Sequence, residues 1–253
     1  MRTRLYEAYA SGHAGTGGEE ATALIYRRDI RPCLPPPRQG PVIDIGCGQG
    51  ALVRLMRDGG YDAEGVDASP EQVALAHVAG TGRVSRGDYR ETLAAHRGHY
   101  AAVTATDVLE HLDKPAVLDT FDLVAGALAP GGVFVARVPN AVSPLGGHIS
   151  HGDFTHEVVF TGRSVRQLAV AAGFAVVAVR PCPPLAHGVV SAARWAVWCA
   201  VSAWYRLALA AETGAFRGHI LTQNLTFAAW VPGHRTSAEW CGRPFHPHPA
   251  PGS

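Results

Sequence analysis

Lysine is almost missing from this chain of 253 residues: Lys114 is the only one, so arginine carries nearly all the positive charge. The formal net charge is only +1, which leaves no electrostatic footprint for nucleic acid, and no nucleic-acid partner is expected. With plentiful alanine, glycine and proline, the arginine bias reads as GC-rich coding rather than function. Paired cysteines are missing too. Cys33, Cys47, Cys182, Cys199 and Cys241 are odd in number, scattered and without a C-x-x-C pair, which argues against a disulfide framework or zinc ribbon and for a reducing cytoplasm. The opening stretch 1–7 lacks the apolar core of a signal peptide. No Gly-Lys-Ser/Thr follows the glycines at 46–50, so a P-loop is excluded. No internal repeat is found.

What is present is length enough for one large α/β domain, 47% hydrophobic and 17% charged. Apolar strand runs alternate with helical periodicity. Strands are expected at 41–46, 62–67, 83–86, 100–106 and 132–138, with helices at 50–58, 70–79 and 114–128 between them. Such alternation implies a parallel sheet with helices on both faces. Pro130-Gly131-Gly132 is expected to end one helix and begin the next strand. Further on, 164–172 reads as a helix stopped by Gly173, 174–179 as a strand and 220–231 as a closing strand. Residues 1–40, with Tyr6, Tyr9, a short helical stretch and Pro35-Pro36-Pro37, form an expected lid or lead-in. The main domain then runs over 41–232, and a tail over 233–253 is expected to be disordered.

One apolar stretch, 189–211, carries Trp195, Trp198, Trp204 and Tyr205. Arg194 and Arg206 leave roughly eleven uncharged residues between them, too few to span a bilayer. It reads as a packed helix in a segment, 185–215, inserted before the last strand. A dimer face, a substrate lid or interfacial membrane contact are the alternatives.

The chain is organised around Val42-Ile43-Asp44-Ile45-Gly46-Cys47-Gly48-Gln49-Gly50, an apolar strand that meets three glycines and then a helix. Glycines at such a turn let a ligand approach the backbone. The stretch formally matches the dinucleotide pattern G-x-G-x-x-A, yet Asp44 would repel a pyrophosphate and suits a cation. S-adenosylmethionine is such a ligand. Asp67, before Ala68 at the end of the second strand, is placed to accept from two ribose hydroxyls, while Ser69 before Pro70 makes the better helix cap. Asp88, beside Tyr89, is placed to accept from an adenine amino group or to serve as a turn residue. Cys47 lies within the turn, and its side chain reads as small apolar packing rather than a redox group.

In order, Val-Ile-Asp-Ile-Gly-Cys-Gly-Gln-Gly (42–50), Gly-Val-Asp-Ala-Ser-Pro (65–70), Gly-Asp (87–88), Asp-Val-Leu-Glu-His-Leu (107–112) and Leu-Ala-Pro-Gly-Gly (128–132) resemble the successive motifs of class I S-adenosylmethionine-dependent methyltransferases. The resemblance covers about residues 40–180. It implies a Rossmann-like, seven-stranded α/β sheet whose last strand is antiparallel. It also implies a cofactor site of Asp44, Gly46, Cys47, Gly48, Gly50, Asp67, Ala68, Asp88, Tyr89 and Asp107. Val138 to Ala141, Gly152 to Glu157 and Phe160 to Ser164 resemble a narrower bacterial group, similar in its core to the ubiquinone-type O-methyltransferases and associated with saccharide or secondary-metabolite methylation.

Methyl transfer to a hydroxyl needs a general base, and histidine is best suited near neutral pH. His111 lies just past the fourth strand, where open α/β sheets bind ligands. A second source is the loop His148-Ile149-Ser150-His151-Gly152-Asp153-Phe154-Thr155-His156-Glu157, in which His156 is the better base, oriented by Asp153 or Glu157. The His-x-x-His spacing in this loop has metal-ligand chemistry, but the resembling group does not require a metal and none is expected. The expectation is a cytoplasmic enzyme, O-methylating a small, hydroxyl-rich acceptor such as a sugar. N-methylation of an amino sugar or nucleoside, and a non-catalytic cofactor-binding partner protein, are the alternatives.

Overall fold

The computed structural model describes residues 19–184, 189–215 and 217–233. Tyr6, Tyr9 and the tail from 234 onward lie outside the described residues. Seven strands occur among the described residues: β1 (Val42–Ile45), β2 (Ala63–Asp67), β3 (Val84–Arg86), β4 (Tyr100–Thr106), β5 (Leu128–Pro139), β6 (Val176–Pro181) and β7 (Asn224–Trp230). The α-helices among the described residues are α1 (Glu19–Ile25), α2 (Ala51–Asp58), α3 (Pro70–Val78), α4 (Tyr89–Ala95), α5 (Lys114–Ala127), α6 (Gly146–Ser150), α7 (Gly162–Ala171) and α8 (Val189–Thr213).

The strands form one sheet in the order β3-β2-β1-β4-β5-β7-β6, with β7 antiparallel to both β5 and β6. From β1 the chain moves outward through β2 to β3, then returns to pair β4 against the other side of β1. The carboxyl ends of β1 and β4 therefore flank a topological switch point, where such sheets leave a crevice.

Local chemistry sets the helix starts. Ser69 Oγ accepts from Gln72 N at 3.3 Å with Pro70 at the first helical position, and Asp113 accepts from Ala116 N at 2.9 Å. Thr161 and Ser164 cap α7 reciprocally. Alternation along β1 then separates two cores. Ile43 and Ile45 join Phe121, Phe134 and Phe227 on one face, while Val42 joins Val53, Met56 and Val135 on the other. Phe121 stacks on Phe227 with centroids 5.7 Å apart and meets Phe134 edge-on at 5.4 Å.

Two expectations are corrected. Pro130-Gly131-Gly132 does not stand outside the sheet, because β5 already begins at Leu128. Gly131 N donates to Pro232 O at 3.1 Å and Val231 N to Gly132 O at 3.1 Å, so pairing beyond the end of β7 draws these glycines into the strand. The helix α8 does lie between β6 and β7, but it is not packed as expected. Ser202 is its one buried residue, and Trp195 and Trp204 are 46% and 71% exposed. Among the described residues, no helix is long and apolar enough to cross a membrane.

Candidate active site

The glycine turn is pinned to β2 by its backbone. Gly46 N and Cys47 N both donate to Val66 O, at 2.8 and 3.2 Å, and Gly50 N closes onto Cys47 O at 2.9 Å. Gly46, Gly48 and Gly50 have φ of +65°, +52° and +73°, the left-handed region that disfavours side chains. A Cβ on Gly46 would lie 2.6 Å from Val108 Cγ2, so this glycine serves close packing. Gly48 differs. The nearest atom to a Cβ there is Gln72 Oε1 at 3.7 Å, which leaves its backbone open to an incoming ligand.

Asp44 sits behind the turn on β1, 3% exposed, with Thr104 Oγ1 donating to its Oδ1 at 2.7 Å. Burial pushes its carboxyl up to about 7; the Thr104 hydrogen bond opposes this and nearby Asp67 adds to it. Asp67, at the end of β2, accepts from Gly48 N through Oδ2 and from Ser69 N through Oδ1, each at 2.8 Å. Each oxygen keeps a further lone pair, so the carboxylate is aimed without being exhausted. Ala68 is exposed beside it.

The Cys47 side chain packs against β2: a Cβ on Gly65 would fall 2.6 Å from Cys47 Sγ. Burial raises its thiol well above the ordinary range, so this sulfur stays protonated and unreactive. Asp88 is exposed and caps α4, accepting from Arg90 N at 2.8 Å. Tyr89 is half-buried and tied to α5 by a 2.8 Å bond between its hydroxyl and Thr120 Oγ1. Asp107 has φ +55°, a left-handed backbone that aspartate tolerates better than most residues. Arg137 Nη1, from β5, donates to both its carboxylate oxygens, with Oδ1 at 2.6 Å.

The histidine rim is assembled from two loops. Leu109–His111 form a 3₁₀ turn after β4, and Glu157 N and Val158 N both donate to Glu110 O, at 2.8 and 3.2 Å. That clamp lays the later loop over the earlier one. His111 and His156 then meet edge to face with ring centroids 4.8 Å apart. Thr155 Oγ1 lies 2.7 Å from His111 Nδ1 and donates its proton to Asp153 Oδ1, also at 2.7 Å. A hydroxyl has one proton to give, so His111 Nδ1–H must be the donor to Thr155. In the neutral imidazole the lone pair is therefore on Nε2. Burial pushes the Asp153 carboxyl up, but hydrogen bonds from the Thr155 backbone and side chain, with His111 and His156 nearby, bring it below its ordinary value. That favours the ionised form, the stronger acceptor.

His148 and His151, from the same loop, are exposed. The ligand atoms of Glu110, His111 and His156 instead lie within 4.8 Å of one another. Glu110, 1% exposed, was not singled out from sequence, although its place beside His111 was the available signal. Thr155 and Arg137 were also missed. Thr155 reads as one of many threonines, and Arg137 reads as an ordinary strand residue until β4 and β5 are paired.

The methyltransferase-domain family matches residues 19–179. Over 110 residues the chain is 33% identical to the ubiquinone biosynthesis O-methyltransferase of Psychrobacter arcticus, a stretch that is 39% of this chain and 40% of that protein. The chain thus matches about two fifths of the length of this curated relative. A SAM dependent methyltransferase from Archaeoglobus fulgidus superposes with a TM-score of 0.67 at 19% identity, over 88% of this chain and 98% of that one. Phosphoethanolamine N-methyltransferase 2 of Haemonchus contortus, solved with S-adenosyl-L-methionine, gives 0.56 at 19% identity, over 84% and 52%. At these identities the superpositions show the shared fold.

Proposed function

The chain belongs to the methyltransferase-domain family, whose class I fold holds S-adenosylmethionine, and from that premise we propose that it methylates a hydroxyl of a small, hydroxyl-rich acceptor such as a sugar or glycosylated metabolite. The residues present fit the cofactor. Gly48 offers open backbone, Asp67 is oriented with lone pairs to spare, and Asp44 is a buried carboxyl whose ionisation a cation would favour. Gly46 to Gly50 with Asp44 would take the aminoacyl end, Asp67 and Ala68 the ribose, and Asp88 and Tyr89 the adenine. Asp107, held by Arg137, would border the methyl-bearing side from the end of β4. When bound, S-adenosylmethionine supplies a methyl carbon made electrophilic by its sulfonium.

The chain's own task is to align the acceptor oxygen and take its proton. The observation that carries the O-methylation reading is the relay Asp153–Thr155–His111. It fixes the tautomer that presents a basic Nε2, with His156 packed against the same ring. An amine acceptor would need no such base. The cysteine pattern supports a cytoplasmic setting. Two measurements test the reading. Calorimetry should show S-adenosylhomocysteine binding and a nicotinamide dinucleotide failing to bind. Labelled S-adenosylmethionine should then pass its methyl to hydroxyl rather than amine acceptors in a panel of sugars and amino sugars. Binding without turnover on any acceptor would favour the non-catalytic alternative.

A further inference from the structure

We propose that Glu110, His111 and His156 form a binding site for one divalent transition-metal ion, and that this ion, rather than an imidazole alone, receives the acceptor's oxygen. The inference rests on the O-methylation reading for its role but not for the site itself. One carboxylate oxygen and two imidazole nitrogens converge within 4.8 Å, from a turn after β4 and a loop after β5. Convergence of three such groups is not sufficient alone. The second observation is that two of them are left unsatisfied. Glu110 Oε2 and His156 Nδ1 are buried and have no hydrogen-bond partner, and Glu110 is 1% exposed. Burying a polar atom without a partner is costly, so such atoms point to a missing partner.

The tautomer of His111 suits the same partner. With Nδ1 donating to Thr155, the lone pair on Nε2 is the one a cation requires, and Thr155 with Asp153 forms the outer shell that orients a ligating imidazole. Two imidazoles with one carboxylate favour first-row ions such as Mn²⁺ and Zn²⁺ over Mg²⁺ or Ca²⁺, which prefer all-oxygen sites. Three protein ligands leave at least one coordination position open. An acceptor hydroxyl there is acidified and releases its proton to solvent, as a metal-bound water does. In the loaded protein the His111 lone pair holds the metal, and the metal takes over acidification of the hydroxyl. Two adjacent acceptor oxygens, as in a vicinal diol, would chelate it.

The full chain, stripped with EDTA and dialysed, is titrated with MnCl₂ and ZnSO₄ by calorimetry, and bound metal is counted by elemental analysis. One ion per chain is expected. Glu110→Gln and His156→Ala should each weaken binding at least tenfold, and Thr155→Val roughly tenfold or more through the outer shell. His148→Ala, at an exposed position, should bind metal like the parent. S-adenosylhomocysteine affinity, measured on every variant, reports that each is folded. Absence of stoichiometric metal in a parent that binds S-adenosylhomocysteine overturns the site, as does unchanged metal binding by Glu110→Gln. Loss of S-adenosylhomocysteine binding by the parent, with metal retained, overturns the cofactor reading instead.

Discussion

Replacing Asp44 with asparagine separates two demands made on one side chain. Asp44 is 3% exposed, and burial lifts its carboxyl from 3.8 to about 7. Below both values the folded and unfolded chains carry the same proton, and Asp44 contributes nothing to the pH dependence. Between them the unfolded chain ionises while the folded one does not, so stability falls as pH rises from about 4 to about 7 and then levels off. A gap of about 3 pH units is worth about 4 kcal/mol at 1.36 kcal/mol per unit. The substituted amide would keep an acceptor for Thr104 Oγ1 and has no charge to suppress. The variant should therefore gain stability over the parent by up to ~4 kcal/mol at about pH 8 and nothing at about pH 4. Cofactor binding should move the opposite way, because a cationic ligand draws on the ionised form. Parent affinity for S-adenosylhomocysteine should rise toward tenfold per pH unit up to about pH 7 and then flatten, and the variant should bind weakly with no such slope. Urea unfolding and calorimetry across that range read both effects. A parent affinity independent of pH, or a variant that binds as tightly, refutes the pairing of Asp44 with the ligand's positive charge.

Gly46→Ala should lower S-adenosylhomocysteine affinity at least tenfold and cost at least about 1–2 kcal/mol of stability, since φ is +65° and the new methyl would sit 2.6 Å from Val108 Cγ2; calorimetry and thermal unfolding check this. Thr155→Val keeps the shape and removes the hydroxyl between His111 and Asp153, so kcat should fall by a factor on the order of 10² with KM little changed, and Thr155→Ser should restore it. Phe121→Ala opens a hole among Phe134, Phe174 and Phe227 and should cost about 3–5 kcal/mol in urea unfolding while the folded fraction still binds S-adenosylhomocysteine.

Much of the glycine turn and its flanking carboxylates was legible in the chain because their determinants are local. A strand that runs into glycines of positive φ, a serine cap with proline behind it, and carboxylates at strand ends all act over a few residues, and each is found where its neighbours imply. The order of strands followed from hydrophobic periodicity for the same reason, although the short helices α4 and α6 were not read from it. Even there, pairing overruled local sense once, when Val231 and Pro232, just past the end of β7, drew Gly131 and Gly132 into β5.

The histidine rim was decided only in three dimensions. Composition made the histidine-rich loop conspicuous, and its neighbouring carboxylates favoured His156, but which of His148, His151 and His156 points inward depends on packing that neighbours in sequence do not set. The clamp of Glu157 and Val158 on the Glu110 carbonyl brings His156 onto His111 and leaves the other two exposed. Thr155 and His111 are 44 residues apart in the chain, yet their 2.7 Å contact fixes the tautomer of the imidazole. Burial of Glu110 likewise depends on what closes over it. Local geometry is encoded by neighbouring residues, whereas burial, tautomer and convergence arise only when distant segments pack together.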